Sequence, residues 1–247
     1  MEDWYLYLLT ELFGTMLLII LGNGVVANIV LKNTKGNNGG WISITAGWGF
    51  AVMLAATLSS ALGGVAHLNP AVTFAMIING WGENIGGSNW LIPLFIIGQL
   101  VGAALGQVLI DLFYIKHIVI SISDLKSDAV LGMHSTSPTD RNMFINLFCE
   151  FLGTAVLIFT IFGINIWFVG QHGWMKPIFV GLAVFSIGLS LGGTTGYAIN
   201  PARDLAPRIV YQLLPFKGKI KADWNYSWIP VIAPIVAGII VGGIFLI

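Results

Sequence analysis

Apolar residues fall into six runs of span length, separated by polar or Gly-rich breaks, and none alternates with the two-residue period of a strand. The runs cover about 5–31, 41–62, 90–115, 142–169, 174–191 and 228–247. A helix needs about 20 apolar residues to cross a bilayer, so the pattern predicts an all-α membrane protein with six transmembrane helices, not a β-barrel. Two further apolar runs, 70–78 and 201–214, are too short to cross. Each follows an asparagine, in the triplets Asn69-Pro70-Ala71 and Asn200-Pro201-Ala202. Asn favours the N-cap and Pro the first helical position, so both triplets predict the start of a short helix. Irregular approaches at 63–68 and 192–199 lead into them. Unpaired backbone at such helix ends is tolerated in a bilayer only if protein buries it or it lines a water-filled path.

The pattern repeats. Glu11-Leu12-Phe13-Gly14-Thr15 matches Glu150-Phe151-Leu152-Gly153-Thr154, Asn69 matches Asn200, and the pair Gly102 and Gly106 matches Gly238 and Gly242. The chain divides into a first repeat at 1–115, a connecting loop at 116–141 and a second repeat at 142–247. Three spans per repeat put the halves in opposite orientations, an inverted repeat whose broken helices point to a site near the midplane. The connector, with Lys116, Asp124, Lys126, Asp128, Asp140 and Arg141, reads as a solvated link whose patch Ile118-Val119-Ile120 packs on the rim.

Composition narrows the function. The chain is 56% hydrophobic and 9% charged, too few charges to coat a soluble protein of 247 residues. Lys and Arg total 11, as do Asp and Glu, which leaves no basic field for nucleic acid. The lone Cys149 permits neither an internal disulfide nor a zinc site. No His, Cys or acid pair stands at catalytic or metal-binding spacing, so neither an enzyme nor a metal or other cofactor is expected. The start Met1-Glu2-Asp3-Trp4 lacks the positive charge of a secretory signal, and the first run reads as a retained span.

With paired Asn-Pro-Ala triplets, a Glu in spans 1 and 4 and Arg203 after the second triplet, the whole chain resembles the major intrinsic proteins, the aquaporin and glycerol-facilitator channels. Asp204, the basic Arg208 and the pair Pro230-Val231 are similar to the glycerol-facilitator (aquaglyceroporin) branch. The resemblance implies the aquaporin fold and a passive channel for glycerol, related small neutral solutes and water that excludes protons and ions. It also implies a homotetramer in the plasma membrane with cytoplasmic termini. The positive-inside rule points the other way. Lys32, Lys35, Lys116, Lys126, Arg141, Lys217, Lys219 and Lys221 lie on the face away from the termini, with Lys176 on theirs. The family orientation is adopted, because the packed repeat fixes the fold and charge bias is statistical.

By that resemblance the two half-helices meet tip to tip, each tip carrying about half a positive charge that repels cations. Asn69, Pro70, Ala71, Asn200, Pro201 and Ala202 form the central region, the asparagines capping their helices and donating to the solute. Trp48, Gly188, Tyr197 and Arg203 form the selectivity filter, which Gly188 widens by presenting no side chain. Carbonyls of Gly64, Val65, Ala66, His67 and Leu68, and of Thr194, Thr195, Gly196, Ala198 and Ile199, form an acceptor ladder. Glu11 and Glu150 support the irregular segments. Two alternatives stand beside this: a water-selective channel, and an ion-coupled secondary transporter in which the two glutamates bind the coupling ion.

Overall fold

A computed structural model of the chain describes residues 4–80, 89–168 and 170–246. Among these residues every regular element is helical. Before the connector come α1 (Trp4–Val30), α2 (Trp41–Ala61), the short α3 (Pro70–Ile78), a 3-10 turn at Asn89–Leu91 and α4 (Ile92–Phe113). The connector holds α5 (Ile115–Ser123) and α6 (Ser127–Gly132). After it come α7 (Met143–Trp167), a 3-10 segment at Gly170–Met175, α8 (Lys176–Leu191), α9 (Pro201–Leu213), the one-turn α10 (Trp224–Ser227) and α11 (Ile229–Ile244). Among the described residues six helical stretches are long and apolar enough to cross a membrane, and α3 and α9 are two shorter helices opened by Asn-Pro. Most of the turn-rich loop expected at 79–89 lies outside the described residues, as do the first three residues, Val169 and Ile247.

Lipid is as apolar as leucine, so helices associate in a bilayer through close packing, and small residues decide which ones touch. A side chain at Gly98, Gly102 or Gly106 on α4 would strike the carbonyl of Leu8, Leu12 or Met16 on α1. On α2 and α8, Gly49 and Gly181 are reciprocal: a Cβ on the first would lie 2.8 Å from the carbonyl oxygen of the second, and one on the second 2.5 Å from that of the first. On α11, Gly238 and Gly242 face the carbonyls of Ala71 and Ala75 on α3. The two glycine pairs matched in sequence therefore have different partners, a full span for Gly102 and Gly106 and a half-helix for Gly238 and Gly242. Helix α11 meets α7 instead through Ala237 and Val241, which cluster with Ala155 and Ile158. Outward-facing positions such as Phe50, Leu54, Leu112, Phe144 and Ile240 are exposed apolar side chains suited to lipid.

The connector departs from the solvated link read in the sequence. Its helical period sorts residues 115–132 into two faces. Ile118, Ile122, Val130 and Leu131 are buried, while Val119 and Leu125 are exposed, so of the expected rim patch Ile118 is the fully buried member. Ser121 Oγ accepts from the Lys32 amide at 2.9 Å and His117 Nδ1 lies 2.9 Å from the Lys32 carbonyl, which docks α5 on the end of α1. Beyond α6 the polar residues His134, Ser135 and Thr136 are buried too.

Candidate functional site

Each half-helix starts as its local chemistry dictates. Asn69 is extended (φ −161°, ψ 119°) and its Oδ1 accepts from the Ala71 amide at 2.9 Å. Asn200 is likewise extended, and its Oδ1 accepts from the amides of Ala202 and Arg203 at 3.0 and 3.2 Å. The two tips are also tied to each other. Asn69 Nδ2 donates to the Ile199 carbonyl and Asn200 Nδ2 to the Leu68 carbonyl, both at 2.8 Å. A primary amide has two N–H groups. One of each is spent on the opposite loop, leaving the second for a solute.

The approaches to the tips are folded by carboxylates buried in the spans. Glu11 accepts from the amides of His67 (2.8 Å) and Leu68 (2.7 Å) and from Gln99 Nε2 (2.7 Å). Glu150 accepts from Ala198 (3.0 Å) and Ile199 (2.9 Å). The resulting backbone is left-handed at Ala66 (φ 57°) and Leu68 (φ 53°), and again at Tyr197 (φ 39°) and Ile199 (φ 43°). These positions stand three and one residues before each asparagine, and none is glycine, although bulky residues avoid this region. Gln99 Nε2 also donates to Thr73 Oγ1 at 3.0 Å, and His67 Nδ1 lies 3.2 Å from that hydroxyl.

A cavity of about 450 Å³ runs past the tips. Its lining begins near Ser60, Asn165 and Lys176, on the face where α2 and α7 end, passes Asn69 and Asn200, and reaches Trp48, Tyr197 and Arg203. Leu18, Val52, Val72, Leu157, Ile161 and Val184 line it as well. Leu18 and Leu157 each stand seven residues after the buried glutamate of their helix. The lining is thus mixed, with the amides of Asn69 and Asn200, backbone of the two irregular segments and a guanidinium beside branched apolar chains.

At the far end the Arg203 Cζ lies 4.3 Å from the centroid of the Trp48 ring. Gly22 on α1 lets that ring lie flat, since any side chain there would run into it. Arg203 Nη1 and Tyr197 Oη have no hydrogen-bond partner among the described residues. Gly188, expected in the filter, stands behind Tyr197 and is not among the residues that line the cavity. A Cβ on it would lie 2.8 Å from Tyr197 Cζ and 2.8 Å from Thr45 Cγ2, so the tyrosine ring already fills the room that Gly188 leaves. Trp41 backs this arrangement by donating from Nε1 to the Gly188 carbonyl at 3.0 Å and meeting the Tyr197 ring edge-on at 5.9 Å.

The acceptor ladder is shorter than the sequence suggests. Val65, Ala66, His67 and Leu68 line the cavity, as do Ala198 and Ile199, whereas Gly64, Thr194, Thr195 and Gly196 do not. The Thr194 carbonyl is occupied by the Thr139 amide at 2.9 Å and the Thr139 hydroxyl at 3.1 Å. Gly196 lies under Thr136, whose Cγ2 would be 3.2 Å from a Cβ there. Asp204 and Arg208 form a fully buried pair: Asp204 Oδ1 accepts from Arg208 Nε (2.9 Å) and Nη2 (2.7 Å), and Oδ2 from the amide and hydroxyl of Thr136, both at 2.7 Å. Arg208 also donates to the carbonyls of Thr136 (2.8 Å) and Ala222 (2.7 Å). Thr136 and Thr139 escaped sequence reading, because nothing local marks a connector threonine as a partner of residues some 55 to 72 positions away.

Six apolar spans around a conduit flanked by two buried half-helix tips define an integral membrane channel. The chain belongs to the major intrinsic protein family: the profile described as "Major intrinsic protein" matches residues 3–245. It is 46% identical over 233 residues, 94% of each chain, to "Probable glycerol uptake facilitator protein" of Thermotoga maritima. It is 44% identical over 227 residues, 92% of each chain, to a glycerol uptake facilitator protein of Streptococcus pneumoniae. Its fold is similar to that of the aquaglyceroporin from Plasmodium falciparum solved by X-ray crystallography, with a TM-score of 0.82 at 29% identity over 97% of this chain and 94% of that one. The chain stands among passive channels, not enzymes.

Proposed function

We propose that this chain is a passive channel for glycerol and other small neutral solutes, with water, and that it excludes protons and ions. The observation that carries the reading is the conduit of mixed polar and apolar lining that reaches Trp48, Tyr197 and Arg203. A polyol lays its carbon–hydrogen edge on the apolar wall while its hydroxyls accept from Asn69, Asn200 and Arg203. Such a site dehydrates a small alcohol at low cost because each lost water bond has a replacement. A cation meets the positive ends of two helices and a guanidinium instead. The relatives named as glycerol uptake facilitators support the same solute class.

An ion-coupled transporter finds less support. No carboxylate lines the cavity among the described residues, and all four oxygens of Glu11 and Glu150 accept from loop amides. We assign these glutamates to loop support, residues 1–115 and 142–247 to two inverted repeats, and the molecule to a homotetramer in the plasma membrane with cytoplasmic termini. Light scattering of proteoliposomes under gradients of glycerol and sucrose, with proton flux recorded in parallel, tests the reading. Glycerol enters rapidly, sucrose does not, and protons do not leak. Glycerol entry no faster than in protein-free vesicles would end the proposal.

A further inference from the structure

One polar cluster takes no part in the conduit. His134 is fully buried just past α6, with Nδ1 2.6 Å from the Val130 carbonyl and Nε2 2.9 and 3.1 Å from the two carboxylate oxygens of Asp111 on α4. Gln107 Nε2 donates to Asp111 Oδ1 at 2.9 Å, and Asn23 Nδ2 on α1 donates to Gln107 Oε1 at 2.6 Å and to the His134 carbonyl at 3.2 Å. Buried polar networks are costly unless satisfied, so one at a helix end calls for a reason. The scaffold does not supply it. Asn23 stands twelve residues after Glu11, and the residue twelve after Glu150 is Phe162, stacked on Phe245 at 4.5 Å. The polar cluster therefore marks a place where the connector lands on α1 and α4.

From that landing point the chain runs as a strap across the shoulder of the constriction. Thr136 binds Asp204, the residue after Arg203, and lies over Gly196, the residue before Tyr197. Thr139 holds the Thr194 carbonyl. Residues 134–139 thus touch the segments that carry Tyr197 and Arg203, and His134 fixes their near end.

We infer that His134 and Asp111 form a clasp that positions Arg203 and Tyr197 through the strap 134–139, and so sets the size cut-off for solutes. The inference rests on the solute-channel reading. The Val130 carbonyl only accepts, so Nδ1 carries a hydrogen, and the contact with Asp111 needs a second hydrogen between Nε2 and the carboxylate. Asp111 on α4 and Tyr211 on α9 are the titratable groups that face the ring; the phenol meets it edge-on at 5.1 Å and donates its own hydrogen to the Ile220 carbonyl. The Asn23 and Gln107 amides complete the cluster without charge.

The test uses the full chain in proteoliposomes, with His134→Leu, Asp111→Asn and the double variant His134→Gln/Asp111→Asn. Two readouts are taken: the xylitol-to-glycerol permeability ratio, and deuterium uptake at 134–139 and 194–199. In the wild type the ratio is low. Each single variant raises it severalfold, and both segments lose protection together. The double variant, whose two amides hydrogen-bond to each other without charge, restores the low ratio. Unchanged ratio and unchanged uptake in the single variants overturn the clasp, as does failure of the double variant to restore the ratio. If His134→Leu does not fold, Asp111→Asn decides by the same readouts. Wild-type glycerol uptake at the level of empty vesicles sinks the channel reading, while the deuterium measurement still decides the clasp.

Discussion

Tyr197 occupies the space that a side chain at Gly188 would need, its Cζ 2.8 Å from where the Cβ would be. The smallest side chain at 188 must therefore push the phenol, and the direction away from α8 leads toward the Trp48–Arg203 face of the conduit. Overpacking of this kind costs typically about 1–3 kcal/mol, and a barrier higher by about 1.4 kcal/mol slows passage roughly tenfold. Gly188→Ala is expected to slow glycerol by about that factor and water by less, and Gly188→His to slow glycerol further. Removing the obstruction in Gly188→Ala/Tyr197→Ala brings glycerol back. Stopped-flow light scattering of the variants checks this, and equal slowing of glycerol and water would show that residue 188 acts elsewhere than on the constriction.

The mutual bonds of Asn69 and Asn200 separate two roles that alanine alone would confound. Asn69→Ala removes the cap and the cross-link to Ile199, and loss of an N-cap typically costs about 1 kcal/mol. Asn69→Asp keeps an oxygen for the Ala71 amide but has no hydrogen for the Ile199 carbonyl, and it places a negative charge between two positive helix ends. Both variants are expected to melt earlier in detergent than the wild type. The aspartate variant is expected to admit cations in addition, seen as dissipation of a potassium gradient in vesicles; a variant that stays cation-tight would remove the helix tips from ion exclusion.

How much of this was legible in the sequence follows from how local each cause is. Capping by Asn and a first-position Pro act within three residues, so the start of α3 at Pro70 and of α9 at Pro201 could be read directly. Span lengths follow from apolar runs in the same way. The left-handed backbone at Ala66, Leu68, Tyr197 and Ile199 could not be read, because no glycine announces it and carboxylates over forty residues away impose it. The role of Gly188 depends on which side chain folds back over it, and Tyr197 does so only once α8 has ended and the chain has turned. The connector misled for a related reason. Its polar residues look solvated along the chain, yet His134 and Thr136 find their partners in α4 and α9.

Replacing Glu150 or Glu11 by Gln distinguishes a loop anchor from an ion-binding carboxylate. Glutamine has one acceptor oxygen, so its amide nitrogen faces a loop N–H, and an unsatisfied buried donor costs about 1–3 kcal/mol. If the glutamates hold 67–68 and 198–199, both variants lower the melting temperature, and glycerol uptake falls for want of a formed loop. Uptake in the wild type shows no dependence on a proton gradient. A well-folded Glu150→Gln protein whose uptake had merely lost coupling to pH would favour the transporter instead.

The pair Asp204–Arg208 and the pair Arg141–Asp223 have equal shortest contacts of 2.7 Å and should differ widely in weight. The first is fully buried and each partner serves neighbours as well: Asp204 takes two bonds from Thr136, and Arg208 gives two to backbone carbonyls. Removing one partner leaves a buried charge uncompensated, at a cost of about 3–5 kcal/mol. In the second, the Arg141 side chain is 66% exposed, and exposed pairs contribute roughly 0–1 kcal/mol. Asp204→Asn and Arg208→Ala are therefore expected to lower the melting temperature in detergent strongly, and Arg141→Ala scarcely at all. The apolar replacement Asp204→Leu/Arg208→Met leaves no orphaned charge and should recover much of the loss, while solute discrimination stays impaired because Thr136 has lost its holder. Full recovery of discrimination together with stability would mean that the pair holds up the fold alone and has no part in seating Arg203.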